Sequence, residues 1–248
     1  MPVSRLLRVS LGRTGLEVSR LCVGTDYREF YGNANLGGSL LKRSYELGVN
    51  FWDTADDYGA HPSIREAIKA IGRSNVVVVT KTYGREDGDV EESIERSLRE
   101  METSFIDVLL LHAVDSVEEF RRRSGALRAG LRAKDEGLVR AVGLSTHSAQ
   151  MTRACAAIPE IEVVLTVLNR GGLRMSGKLS EMEGAARRAY EAGKGVYLMK
   201  VLARGKLADD VESALAYAWK LPYVHSISVG MKSLDELEEN VRIVNGLL

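Results

Sequence analysis

The sequence is short of several things, and each shortage removes a class of function. It has no excess charge: 34 Lys and Arg balance 34 Asp and Glu over 248 residues. A protein that grips nucleic acid through its phosphates needs surplus Lys and Arg, so no nucleic-acid partner is expected. It has only two cysteines, Cys22 and Cys155. They stand far apart and match neither a metal-ligand nor a disulfide pattern; no metal is expected, and a reduced, cytoplasmic setting is. No apolar run reaches the roughly 20 residues of a membrane span. The opening MPVSRLLRVS lacks the apolar stretch of about 7–15 residues that marks a signal peptide, so neither membrane nor export is expected. Stretches rich in Pro, Gly or Ser do not interrupt the patterned segments, and residues 1–248 read as one domain.

What is present is a repeating pattern in a chain that is 45% hydrophobic, enough for a substantial core. Eight apolar, β-branched runs recur: LCVG (21–24), VNFW (49–52), VVVVT (76–80), IDVLLL (106–111), RAVGL (140–144), VVLTV (163–167), GVYLM (195–199) and SISVG (226–230). Most are apolar throughout rather than alternating, as in strands buried on both faces of a parallel sheet. Helical spacing lies between them. Val90, Ile94, Leu98 and Met101 make one apolar stripe, and Leu234, Leu237, Val241 and Val244 another. The residues at or just past each run are Gly24, Asp53, Lys81, His112, Ser145, Asn169, Met199 and Gly230, spaced 24 to 33 residues apart. Eight such units in about 250 residues predict an α/β fold, a (β/α)8 TIM barrel. An open doubly wound sheet is the competing architecture; the similar lengths of the units favour closure. RLLRVSLGRTGLEVSR predicts a β-hairpin ahead of the first barrel strand, turning at RTG.

In such a barrel chemistry sits at the C-terminal ends of the strands. There the sequence places Asp53, Lys81 and His112 on three successive strands, with Tyr58 in the loop after Asp53. Each has a plain explanation alone: a charged residue begins a solvated loop, a lone His is a hydrogen-bonded structural group, and an Asp before Thr-Ala caps a turn. Their convergence on one rim argues for more. A free phenol titrates near ~10. A Lys ammonium about 4 Å away favours the phenolate by roughly 4 kcal/mol at an effective dielectric of ~20. That is at most about three pKa units toward neutrality. A carboxylate beside the Lys keeps it charged, and His112 can orient the reacting oxygen. The set reads as Tyr acid, Lys tuner, Asp anchor and His orienter, suited to protonating a carbonyl oxygen that receives hydride. No residue here supplies hydride, so a cofactor must. The first strand is followed by GTDYREFYG and not by GxGxxG. SISVGMKSLDELEEN instead reads as strand, loop and helix, with Ser233 and Glu236 forming a capping box at a common anion site of this fold. A merely well-capped helix explains these residues equally.

These motifs resemble the aldo-keto reductases, in family order and over almost the whole chain. LGRTGLEVSRLCVGT is similar to the family's N-terminal hairpin and first strand, GVNFWDTADDYG to its Asp–Tyr signature, VVVVTKTYG to the Lys segment and SFIDVLLLHAV to the His segment. GLVRAVGLSTHS resembles the stretch that holds the nicotinamide amide; LARGKL and VGMKSLDELEEN resemble the pyrophosphate and adenosine segments. The resemblance implies catalysis by Asp53, Tyr58, Lys81 and His112. It implies cofactor contacts at Gly24, Thr25, Ser145, Thr146, Met199, Lys200, Leu202, Gly230, Met231, Lys232, Ser233, Glu239 and Asn240. The implied cofactor is NADP, with NAD the alternative, and the reaction is reversible carbonyl–alcohol conversion on a small molecule. No metal site or iron–sulphur cluster is implied.

The sequence also departs from the family pattern. Thr146 replaces the usual Asn, Leu165 the usual Gln of strand six, and Met199 the aromatic that stacks on the nicotinamide. Glu236 stands where NADPH-preferring members often carry Arg. The chain stops at Leu248, after the last helix, without the family's long closing loop; this predicts an open, undemanding pocket. Tyr27, Phe30, Trp52 and Tyr83 are expected near its rim, as candidate substrate-lining residues. The expected assembly is a monomer or small homo-oligomer. Two other functions compete. One is a nucleotide-binding redox sensor or a catalytically weak binding protein on the same fold, motivated by Leu165, Met199 and the missing closing loop. The other is a lyase or isomerase using Lys81 as a Schiff base, disfavoured because a Lys beside an Asp stays protonated.

Overall fold

The β-branched runs form strands, and the strands close into a barrel. The structure, a computed structural model, describes residues 6–26 and 34–247. In chain order the elements are β1 (Arg8–Ser10), β2 (Glu17–Ser19), β3 (Leu21–Gly24), α1 (Ala34–Glu46), β4 (Phe51–Asp53), α2 (His61–Ile71) and β5 (Val77–Thr82). There follow α3 (Asp87–Met101), β6 (Ile106–Leu111), α4 (Val117–Arg122), α5 (Ser124–Asp135), β7 (Val139–Thr146), α6 (Ala149–Cys155) and β8 (Val163–Val167). The chain ends with α7 (Leu179–Glu191), β9 (Gly195–Met199), α8 (Val211–Trp219), β10 (Ser226–Gly230) and α9 (Leu234–Asn245). Strands β3 to β10 pair in parallel in sequence order, and β10 returns to pair with β3, Ile227 opposite Leu21 and Gly230 opposite Gly24. That closure excludes the open doubly wound sheet. The connection from β6 to β7 holds two helices, α4 and α5, where the spacing suggested one.

Side chains alternate along each strand. One set, including Cys22, Phe51, Val79, Leu110, Leu165 and Tyr197, fills the barrel interior. The other set, including Val23, Trp52, Val78, Leu109 and Val164, packs outward against the helices. Each fully buried aliphatic or aromatic side chain contributes about 1.5–3 kcal/mol of transfer free energy. The expected stripe on α3 is seen: Val90, Ile94 and Met101 are buried in the outer layer.

The predicted hairpin is β1 paired antiparallel with β2, Val9 opposite Val18. It plugs the N-terminal end of the barrel: Leu11, Leu16 and Val18 join the interior cluster. At its tip Gly12 has φ +58, and a side chain there would collide with the Gly195 backbone at the start of β9. The strand ends that carry Asp53, Lys81 and Ser145 lie at the opposite, C-terminal end of the barrel.

Candidate active site

Alternation decides which strand-end residues face inward. Asp53 lies two residues beyond Phe51 and Lys81 two beyond Val79, so both share the interior phase. Lys81 Nζ donates to Asp53 Oδ2 at 2.8 Å and to the Thr54 carbonyl at 2.6 Å. Both side chains are buried, and the Tyr197 hydroxyl donates to the other carboxylate oxygen, Asp53 Oδ1, at 2.7 Å. Burial works to discharge Lys81, but Asp53 and Tyr58 outweigh it and hold the amine above its ordinary range. Lys81 is therefore an ammonium, 4.6 Å from the centroid of the Tyr58 ring.

Tyr58 corrects the simple Coulomb expectation. Burial pushes its phenol above the ordinary value, and Lys81 only partly pulls it back. Two effects absent from the sequence argument explain this: desolvation penalises the phenolate, and Asp53 offsets part of the Lys81 field. His112 completes the group. Its ring meets Tyr58 edge-on at 5.8 Å and stacks on Tyr83 at 4.2 Å. Burial, then the charges of Lys81, His147, Arg123 and Lys200, push its pKa down to about 2, so the imidazole is neutral. Its Nδ1 is buried, lies 3.9 Å from Asp57 Oδ1, and has no hydrogen-bond partner among the described residues.

Two side chains outside the sequence-derived set hold these four in place. Tyr197 is one. Arg123, buried at the α4–α5 junction, is the other: it donates to the carbonyls of Thr82, Gly84 and His112, stapling the ends of β5 and β6. Tyr197 has a sequence signal, since it shares the phase of Met199 in GVYLM. Arg123 has none, because its partners are backbone atoms.

The expected cofactor positions are placed unevenly. Gly24 pairs in register with Asp53 at the end of β3. Thr25 is buried, its hydroxyl donating to the Asp53 carbonyl at 3.1 Å. The Ser145 hydroxyl accepts from the Ala113 N–H at 2.9 Å, which leaves its own proton to donate. Thr146 is the opposite case. It has the outward phase and is fully buried, its hydroxyl donating to Asp115 Oδ1 and accepting from the Ser148 N–H. That hydroxyl is already paired within the chain as both donor and acceptor, unlike that of Ser145. Asp115 also holds His147, and His147 Nε2 is hydrogen-bonded to Lys200 Nζ. Burial opposes ionisation of Asp115, but His147 and Thr146 hold its carboxyl down to about 2. Burial, then Arg204, lowers the Lys200 pKa.

Leu165 and Met199 line the interior where the family's Gln and aromatic were expected. Leu202 and Met231 pack their side chains into the outer layer. Gly230 is exposed with open space around it, and Lys232 and Glu239 are exposed, whereas Asn240 is buried. Ser233 caps α9 as expected, its Oγ accepting from the Glu236 N–H at 3.1 Å. The reciprocal half of the box differs: the Glu236 carboxylate takes the Lys232 N–H, at 2.8 Å.

Among the substrate candidates, Tyr83 is exposed and lies against His112. Tyr27 and Phe30 lie outside the described residues. Trp52 is a correction. It is wholly buried on the outward face of β4, and its indole N–H donates to Ser44 of α1 at 3.0 Å. With Asp53 pointing in, its neighbour must point out. Among the described residues no cluster could hold a metal ion and no helix is long and apolar enough to cross a membrane.

The donor set suits a phosphate-bearing nucleotide: Lys200 and Arg204 bring positive charge just after β9, and Gly230 leaves open backbone at the end of the neighbouring β10. Known proteins agree with this architecture. The chain is 30% identical over 183 residues to "Probable aldo-keto reductase 1" of Glycine max, covering 66% of this chain and 52% of that protein, so it spans about half of that relative's length. L-galactose dehydrogenase of Arabidopsis thaliana is 24% identical over 283 aligned positions, covering 96% of this chain and 88% of that one. A Pseudomonas aeruginosa crystal structure assigned to the aldo-keto reductases shares the fold, with a TM-score of 0.84 at 24% identity over 99% of this chain and 98% of that one. The sequence model of the aldo/keto reductase family matches residues 33–213, well over half the chain, and on that match the chain belongs to the aldo/keto reductase family.

Proposed function

We propose that residues 1–248 act as one catalytic barrel, a nicotinamide-dinucleotide-dependent oxidoreductase that interconverts a small aldehyde or ketone and its alcohol. The observation that carries this reading is the buried Lys81–Asp53 pair beneath Tyr58, with neutral His112 beside it. The bound dinucleotide supplies or accepts hydride. The chain's own groups manage the oxygen. His112, uncharged, orients the carbonyl oxygen by a hydrogen bond. Tyr58 holds its proton firmly at rest and releases it as negative charge builds on that oxygen. Lys81 stabilises the phenolate left behind, and Asp53 keeps Lys81 charged. Ser145, with its proton left to donate, would hold the carboxamide, and Met199 would pack against the nicotinamide.

NADP(H) is the proposed cofactor and NAD(H) the alternative. Lys200 and Lys232 favour a 2′-phosphate, whereas Glu236 at the start of α9 opposes it. The small-carbonyl substrate class and the cytoplasmic setting are part of the same proposal. The decisive assay mixes purified protein with NADPH or NADH and a panel of reactive aldehydes beside an active control. Turnover supports the reading; none with either cofactor refutes it. A second reading, a nucleotide-binding redox sensor, draws on the apolar Leu165 and Met199 at the nicotinamide side. Tight nucleotide binding without turnover would favour it.

A further inference from the structure

Tyr197 lies wholly inside the barrel, its ring 5.1 Å from Phe51. A phenylalanine would fill that space equally well. The hydroxyl is what needs explaining, because a polar group in an apolar interior is destabilising unless it is paired. Its partner is Asp53 Oδ1, at 2.7 Å. Asp53 is thus divided between two donors, Tyr197 on Oδ1 and Lys81 on Oδ2. An ammonium has three N–H groups. Lys81 gives one to Asp53 Oδ2 and one to the Thr54 carbonyl, which leaves one for Tyr58, whose ring centroid lies 4.6 Å from the ammonium.

We propose that Tyr197 is a positioning residue for proton transfer: by occupying Asp53 Oδ1 it prevents the carboxylate from capturing the N–H of Lys81 that faces Tyr58. Without the Tyr197 hydroxyl, Oδ1 becomes a buried acceptor with no donor. Lys81 is the nearest group able to satisfy it, and the ammonium then turns toward both carboxylate oxygens and away from Tyr58. The phenol loses stabilisation of its anion and gives up its proton less readily. The nucleotide side of the mouth is untouched. This inference rests on the reductase reading above and adds to it a residue that does not touch substrate or cofactor.

The test compares the unaltered chain with Tyr197→Phe, which keeps the ring and its packing. Tyrosine labelled at Cζ with carbon-13 reports the Tyr58 titration by NMR without substrate. Turnover of a reactive aldehyde and nucleotide Kd are read in parallel. In the variant the Tyr58 titration moves up by about half a unit or more. Its kcat falls about tenfold or more while nucleotide Kd stays within about twofold. A merely structural role would not move the Tyr58 titration in a folded variant. Should Tyr197→Phe not fold, the unaltered chain still decides: the Tyr197 resonance shows an inflection as Tyr58 ionises, and Tyr58→Phe removes it. An unmoved Tyr58 titration in the folded variant, or no such inflection in the unaltered chain, overturns the positioning role. Failure of the reductase reading shows separately, as an unaltered chain that turns over no carbonyl.

Discussion

Lys81 reaches from β5 to β4 and places its ammonium 2.8 Å from Asp53 Oδ2, with both side chains buried. A buried pair of this kind is costly to break from one side. Asp53→Asn leaves an uncompensated ammonium in the barrel interior, and the expected loss of stability is about 3–5 kcal/mol. The sign with pH follows from Lys81, whose pKa is raised in the fold. Its stabilisation is fully present below the ordinary lysine value and is lost as pH rises through the raised one. Urea unfolding of the two proteins at neutral pH checks the magnitude, and the same comparison under alkaline conditions checks the sign.

His112 gives a prediction at the acid end. Its folded pKa of about 2 lies below its ordinary 6.5, so the native state refuses a proton that the unfolded chain accepts. Stability is unaffected above the ordinary value and falls as pH drops below it, by about 2 kcal/mol at pH 5 relative to pH 7. His112→Gln removes this contribution. Urea midpoints at pH 7 and pH 5 should therefore converge in the variant, relative to the unaltered chain.

Trp52 should behave as a packing residue. Trp52→Phe removes its hydrogen bond to Ser44 and part of the outward packing, at an expected loss of about 1–3 kcal/mol. The KM for any aldehyde that is turned over should stay within about twofold. A large KM change with unchanged stability would return Trp52 to the substrate pocket.

Glu236 should tune the choice of cofactor. Its carboxylate holds the Lys232 N–H at the start of α9. Glu236→Gln removes a negative charge there and should improve the Kd for NADPH relative to NADH by about two- to fivefold. Nucleotide fluorescence titrations measure this ratio directly.

The barrel was readable from sequence because eight buried strands impose a regular spacing of β-branched runs, and Asp53, Lys81 and His112 fall at their ends. Alternation carries the finer information. It puts Trp52 outside because Asp53 is inside, and Tyr197 inside because Met199 is; proximity to a strand end does not distinguish these. The direction of the Tyr58 shift was not readable. It depends on how deeply the phenol is buried and how much of the Lys81 field Asp53 offsets, both of which are set by three-dimensional packing. Arg123 was hidden for another reason: backbone carbonyls leave no mark on the pattern of side chains.

The central claim is that Tyr58 donates the proton, and one comparison tests it most directly. Tyr58→Phe keeps the ring against His112 and Lys81 and removes only the hydroxyl. Carbonyl reduction should fall by about a hundredfold or more. Nucleotide Kd and melting temperature should remain near those of the unaltered chain. Reduction at an undiminished rate in the folded, nucleotide-binding variant would contradict the account.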